Sequence, residues 1–322
     1  MKNSCRIILL LFIFILFTIH PLSADPGRWE QTISGPGWRL WLDHAAVWWD
    51  DDVYLPPVDI SDLPVNPPSC GWDAYEAANG KTACVPGTVE EHYWGEIGGA
   101  VQDDGGDYVG VSWWSSSFVL PETLRGKRIT IRFDSVNLRA EVFLNRQLAG
   151  YDVIGNTPFD IDATSAAVFG GENRIDIRIT DPVGNFSWND NILMRWGDNL
   201  VPAVLGFGGI TGPVIVQATD NIHIDDIYVQ NQPNPRQVYV FAEIGNTIGK
   251  TVRGTATLTI HEWRNTAGIV HTQSVPAVIG PDGAVIDFFA DCQEADLWEL
   301  AGHRTWKQAN LYEASVQFTS QN

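Results

Sequence analysis

Residues 133–162, FDSVNLRAEVFLNRQLAGYDVIGNTPFDID, constrain the fold more tightly than any other stretch. Ala140, Val142 and Leu144 fall on one side of an extended strand, Glu141 and Phe143 on the other. That is the period-2 alternation of a half-buried strand. Asn145-Arg146-Gln147 reads as a tight turn, since Asn tolerates a left-handed backbone, and residues 148–151 return as the hairpin partner. Phe159 and Ile161 then alternate with Asp160 and Asp162, and Pro158 confines this piece to a sheet edge or a strand start.

The pattern recurs along the chain. Residues 38–43 alternate, 128–133 turn Ile129, Ile131 and Phe133 inward, and 174–180 give Ile175, Ile177 and Ile179 a buried face. Residues 53–84 are rich in Pro, Asp and Asn without a sustained period, and read as a long ordered loop or insertion. Residues 88–94 allow one helical turn. Short strands with Gly/Pro punctuation and no sustained helical period indicate a β-sandwich. Near Asp220 the chain changes character. Strand-like pieces at 222–230, 237–244, 254–261, 269–275, 284–289 and 311–318 have the spacing of an immunoglobulin-like sandwich. In the third, Ala256, Leu258 and Ile260 face one way and Thr255, Thr257 and Thr259 the other.

The first of these two regions resembles the N-terminal sugar-binding domain of glycoside hydrolase family 2, the β-galactosidase, β-glucuronidase and β-mannosidase group. Val136, Ala140, Val142, Asn145, Gly150, Pro158, Phe159, Asp162 and Thr164 stand where that family carries its strand-turn-strand signature. Arg146 departs from it, occupying a place where Gly is usual. Val85-Pro86-Gly87, Trp113-Trp114 leading to Phe118-Val119-Leu120-Pro121, and Gly208-Gly209-Ile210-Thr211-Gly212 resemble further family motifs, with Trp114 where Tyr is common. Trp306 and Leu311-Tyr312 are similar to the end of the family's second domain. The resemblance implies an all-β chain: a galactose-binding-like jelly-roll sandwich over 25–219, then an immunoglobulin-like β-sandwich over 220–322 lacking its last strand. In the family a (β/α)8 barrel follows and holds both catalytic Glu residues, the acid/base preceded by Asn. Such a barrel needs about 250 residues, and the sequence contains no Asn-Glu dipeptide. The expectation is therefore a non-catalytic portion of an exported β-glycosidase, most simply β-galactosidase-like, with its barrel elsewhere and no catalytic residue of its own. The alternative is a stand-alone carbohydrate-binding or adhesion module of the same fold.

Residues 1–24 read as a secretory signal peptide: Lys2 and Arg6, a thirteen-residue apolar run at 7–19, and Pro21-Leu22-Ser23-Ala24. The apolar run is shorter than the roughly 20 residues of a membrane span, the competing reading. Periplasmic or extracellular export, with no membrane partner after cleavage, is the expectation. Removal of 1–24 leaves 18 basic against 39 acidic residues, a formal charge of −21. A field of that sign repels nucleic acid and polyanionic glycans, and favours a neutral glycoside as partner. Cys70 and Cys84 bracket a short loop in an exported chain and form a disulfide candidate, two unpaired thiols being the other reading. Cys292 lacks an obvious partner and is expected to be buried.

Fourteen tryptophans suggest stacking on sugar C–H faces, although indoles also fill sandwich cores. The polar, aromatic loop from Asn185 to Asp198 lies between well-patterned strands, where binding residues gather. Trp188 and Trp196 are assigned to stacking, and Asp190, Arg195 and Asp198 to hydroxyl hydrogen bonds. A packing contact between domains is the competing role. Asn185-Phe186-Ser187 is also a glycosylation sequon. Asp103-Asp104-Gly105-Gly106-Asp107 lacks calcium-loop spacing and reads as a solvated turn. The histidines show no metal spacing, so no metal or cofactor is expected.

Overall fold

The structure is a computed structural model that describes residues 27–55, 57–97, 108–182, 193–196, 199–202, 207–297 and 310–321, with backbone alone for 193–196 and 199–202. In the first sandwich the strands are β1 (Arg28–Thr32), β2 (Gly35–Asp43), β3 (Lys81–Val85), β4 (Gly87–Thr88), β5 (Gly110–Val119), β6 (Arg128–Phe133) and β7 (Arg139–Leu144). They continue as β8 (Gln147–Asp152), β9 (Phe159–Asp162), β10 (Glu172–Asp181), β11 (Leu193–Trp196), β12 (Asn199–Pro202), β13 (Gly209–Ile210) and β14 (Val214–Thr219). Two short helices, α1 (Trp72–Ala78) and α2 (Val89–Tyr93), precede β3 and follow β4. A six-stranded antiparallel sheet, β3-β2-β5-β10-β7-β8, packs on a four-stranded one, β1-β14-β6-β9. The inward positions read from the sequence close the core between them: Ile129, Ile131, Phe133, Val142, Ile175, Ile177 and Ile179 are fully buried, with Trp38 and Trp114.

The β7–β8 hairpin turns on Asn145 (φ +51°) and Arg146 (φ +67°), the pair of left-handed residues that a two-residue hairpin loop demands. For Arg146 this geometry costs about 1 kcal/mol relative to Gly. Its guanidinium is put to use: Nε donates to Glu76 at 2.8 Å and Nη2 to Asp73 at 2.9 Å, both on α1. The residue that departs from the family's Gly thus ties the hairpin to the insertion.

That insertion corrects the expectation of a half-buried hairpin. All six residues of β7 are buried. Residues 44–55 and 57–79 lie across the outer face of the six-stranded sheet, where Val53 and Leu63 pack with Leu138, Tyr151 and Val153. Tyr75 and Trp72 pack with Trp113 and Phe143 in a further cluster. Alternation correctly assigned residues to faces, but polarity alone does not report what covers a face. The charges trapped beneath the insertion pair with one another. Glu141 pairs with Arg178, Arg139 reaches Asp51 at 2.7 Å and Glu141 at 3.3 Å, and Asn66 donates to Glu141 at 2.7 Å.

The disulfide candidate is also corrected: Cys70 and Cys84 are free, exposed thiols. Cys70 lies in the turn into α1, its thiol 3.6 Å from the Gly71 carbonyl. The chain then runs through α1 and a left-handed turn at Asn79 (φ +52°) and Gly80 (φ +40°) into β3. There Cys84 occupies a solvent-facing position beside the buried Ala83 and Val85.

The second sandwich has β15 (Ile222–Asn231), β16 (Gln237–Asn246), β17 (Val252–Glu262), β18 (Asn265–Ile279), β19 (Ala284–Asp291) and β20 (Tyr312–Ser320). Its sheets are β15-β16-β19 and β18-β17-β20, so among the described residues β20 lies at an edge. Val240, Ala242, Ala256, Leu258, Ile279, Phe288 and Ala290 fill the space between them, and Cys292 is buried beside them. The strand-like pieces of the sequence fall on these six strands, and Ala256, Leu258 and Ile260 face inward as their alternation requires. Lys127 pairs with Asp220 where the sandwiches meet, and Asn221 donates to the Gly126 carbonyl at 3.2 Å. Among the described residues no helix is long and apolar enough to cross a membrane.

Candidate functional site

One end of the first sandwich gathers the ends of β2 and β10, the starts of β5 and α2, and the approach to β13. The residues that flank 98–107, 183–192 and 203–206 are held together here. Val89 N–H donates to the Gly208 carbonyl at 2.8 Å, and Tyr108 N–H donates to Glu90 at 3.1 Å. Asn137 and Gly209 exchange backbone hydrogen bonds of 2.9 and 2.8 Å, and the Asn137 amide donates to the Phe207 carbonyl at 3.2 Å. Asp181 pairs with Gly110 across β10 and β5.

Local sequence explains how the rim closes. Thr88 and Glu91 form a reciprocal capping box that starts α2, with bonds of 3.2 and 3.1 Å. Gly208 and Gly209 let the following segment press in. A Cβ at Gly208 would lie 2.8 Å from Asp181 Cβ, and one at Gly209 would lie 2.4 Å from the Gly87 carbonyl oxygen. A side chain at Gly209 would push β13 off β4, and one at Gly208 would push the approach to β13 away from Asp181 of β10.

Three carboxylates, Asp43, Glu90 and Asp181, are buried around Tyr108. Burial, reinforced by the negative charge of Asp43, raises the Tyr108 phenol well above its ordinary range. Its O–H donates to the Val111 carbonyl at 2.7 Å, and the exposed His44 ring meets its edge at 5.9 Å. Asp43 accepts from Trp113 Nε1 at 3.1 Å and from the Ser69 N–H at 2.9 Å, besides the Ser69 hydroxyl. These groups set the rim and anchor the insertion to it. Among the described residues no group of three His, Cys, Asp or Glu side chains is arranged to hold a metal ion.

Of the residues assigned from sequence, Trp188, Asp190 and Asp198 lie outside the described residues. So do the sequon at 185–187, the acidic turn at 103–107, Trp306 and residues 1–24. Arg195 and Trp196 belong to the β11–β12 pair, opposite Leu200 and Asn199. That pair follows β10, and so belongs to the chain that leaves the rim at Asp181. The tryptophan count divides between core and surface. Trp38, Trp113 and Trp114 are fully buried, whereas Trp49, Trp94 and Trp263 are 60%, 67% and 43% exposed. Sequence reasoning missed Asp43, Glu90, Tyr108 and Asp181. Their one signal was position: Asp43 ends an alternating strand, and Glu90, Tyr108 and Asp181 stand within three residues of a glycine.

Residues 37–203 match the family described as Glycosyl hydrolases family 2, sugar binding domain. A β-glucuronidase of Formosa agariphila is 30% identical over 135 residues, covering 42% of this chain and 13% of that protein. A β-galactosidase of Thermoanaerobacter pseudethanolicus is 31% identical over 123 residues, 38% of this chain and 16% of that protein. Among solved structures, a glycosyl hydrolase family 2 member from Bacteroides cellulosilyticus superposes with a TM-score of 0.62 at 16% identity, over 90% of this chain and 34% of that one. Ruminococcus gnavus β-glucuronidase superposes with a TM-score of 0.58 at 18% identity, over 94% of this chain and 44% of that one. The matched region thus spans less than a quarter of the length of the curated relatives it matches and under half of these structures.

Proposed function

Because the chain belongs to glycosyl hydrolase family 2, with its sugar-binding domain at residues 37–203, we propose that it is the sugar-binding platform of an exported β-glycosidase. In this reading the rim holds a neutral glycoside for hydrolysis by carboxylates housed in a catalytic barrel elsewhere in the protein. The observation that carries the reading is how the buried carboxylates are used. Asp43, Glu141 and Asp176 each accept hydrogen bonds from the protein's own indole, hydroxyl, amide or guanidinium groups. They hold the fold together, whereas retaining hydrolysis needs two carboxyl groups about 5 Å apart and free to face a substrate.

Relatives named as β-glucuronidase and β-galactosidase fit the reaction class, and the formal charge of −19 favours the neutral sugar of the two. Export rests on the charged, apolar and small-residue order of residues 1–24. The purified chain, assayed with aryl β-galactoside and aryl β-glucuronide, is expected to release no aryl alcohol. Turnover that disappears on Glu90→Gln or Asp181→Asn substitution would overturn the proposal. The exported protein is expected to begin at Asp25 on N-terminal sequencing. A protein that retains residues 1–24 would overturn the export reading.

A further inference from the structure

The outer face of the sheet β15-β16-β19 adds a row of aromatic rings to the polar residues that an antiparallel sheet ordinarily turns to water. Val240, Ala242 and Ile244 point into the core, so Tyr239, Phe241 and Glu243 point out. Register then sets Tyr228 of β15 beside Phe241, and Phe289 of β19 beside Tyr239. The four rings form one continuous ladder across three strands. Tyr228 stacks on Phe241 at 4.6 Å with planes 14° apart, Phe241 on Tyr239 at 6.0 Å, and Tyr239 meets Phe289 at 5.2 Å. Both ends are open to solvent, Tyr228 being 47% and Phe289 43% exposed. Single exposed apolar residues need no explanation, but a contiguous aromatic row does.

Carboxylates identify what suits this row. Asp226 and Glu243 form the adjoining cross-strand pair, and Asp287 and Asp291 alternate with Phe289 along β19. Gln230 stands opposite Tyr239, and no Lys or Arg occupies an outward position from Asp226 to Asp291 in these three strands. A second copy of this acidic chain buried here would strip water from several carboxylates that have no Lys or Arg beside them on these strands, at a cost its apolar contacts would have to exceed. A hydroxyl-rich chain avoids that cost. Its C–H faces lie on the rings, its hydroxyls donate to carboxylates and amides, and the carboxylates keep their remaining water. An anionic chain would be repelled.

We propose that this face of the second sandwich binds an extended neutral glycan, with the rings of Tyr228, Phe241, Tyr239 and Phe289 as its floor. It is a second carbohydrate surface, on a different domain from the rim, and it does not depend on the reading of the rim.

The test uses the full chain in native gels cast with a soluble β-1,4-glucan, a β-1,4-mannan or a polyuronate. At least one neutral polymer should retard it and the polyuronate should not. Tyr228→Ala with Phe289→Ala, changed together at the two exposed ends, should weaken retardation about tenfold or more. Tyr228→Phe with Phe289→Tyr, which keeps both rings, should bind as the parent does. Absence of retardation by any neutral polymer overturns the proposal, as does undiminished binding by the double alanine variant. If the double alanine variant only converts a dimer to a monomer by light scattering, the face is a protein interface and the proposal falls.

Discussion

Two sheet faces in this molecule carry residues that the ordinary inside-outside rule would place elsewhere, and they resolve the conflict in opposite ways. The outer face of β7 and β10 carries Arg139, Glu141, Asp176 and Arg178 and is sealed beneath residues 44–55 and 57–79. The outer face of β15, β16 and β19 carries Tyr228, Tyr239, Phe241 and Phe289 and is bare. Charge is buried where it can be paired within the chain. Aromatic surface is exposed where its neighbours are carboxylates. The first face is a structural joint whose chemistry is complete. The second has ring faces and acceptors still available to a ligand.

The contrast predicts very different responses to substitution. The largest belongs to the sealed face. Glu141→Ala removes the more deeply buried of the two carboxylates that Arg139 and Arg178 share, leaving them Asp51, and should lower unfolding free energy by about 3 kcal/mol in urea titration. A loss below about 1 kcal/mol would mean that water reaches these groups and that the face is not sealed. Tyr75→Phe removes the hydroxyl that donates to Asp176 at 3.1 Å, and should cost about 1–2 kcal/mol in the same assay.

The acid behaviour of Asp176 sharpens the comparison. Burial raises its carboxyl above the ordinary Asp value, and Arg174 and Tyr75 oppose this only in part. The folded state therefore binds this proton more tightly than the unfolded chain does. Its contribution to stability is present below the unfolded value of about 3.9 and is lost as pH rises through the higher folded value. Asp176→Asn should flatten the stability–pH curve in that window, and an unchanged curve would place the titration elsewhere. The smallest effect is expected on the bare face. Tyr228→Ser with Phe289→Ser should shift stability by less than about 1 kcal/mol, since neither ring fills the core. A larger loss would make the ladder part of the fold and not a binding surface.

The sequence reported side-chain direction well and cover poorly. Alternation located Ile129, Ile131, Phe133 and the three isoleucines of β10 because water-facing and core-facing positions differ in composition wherever one face is wet. It misjudged β7, whose second face is covered by a segment without period, held by Trp72, Tyr75 and the Arg146 clasp. Nothing in 53–84 announces α1 beyond isolated aromatic residues, because a seven-residue helix takes its stability from docking and not from propensity. The rim residues escaped because each is an ordinary Asp, Glu or Tyr whose meaning comes from strands distant in sequence. The ladder escaped because its four aromatics are spread over three strands, and register brings them together.

The central claim is that this chain holds carbohydrate without cutting it. The direct measurement incubates the purified chain with a neutral oligosaccharide and follows bound sugar and new reducing ends in the same sample. The account predicts a complex with the reducing-end count unchanged. New reducing ends that vanish when a rim carboxylate is replaced, or no complex with any neutral oligosaccharide, would contradict it.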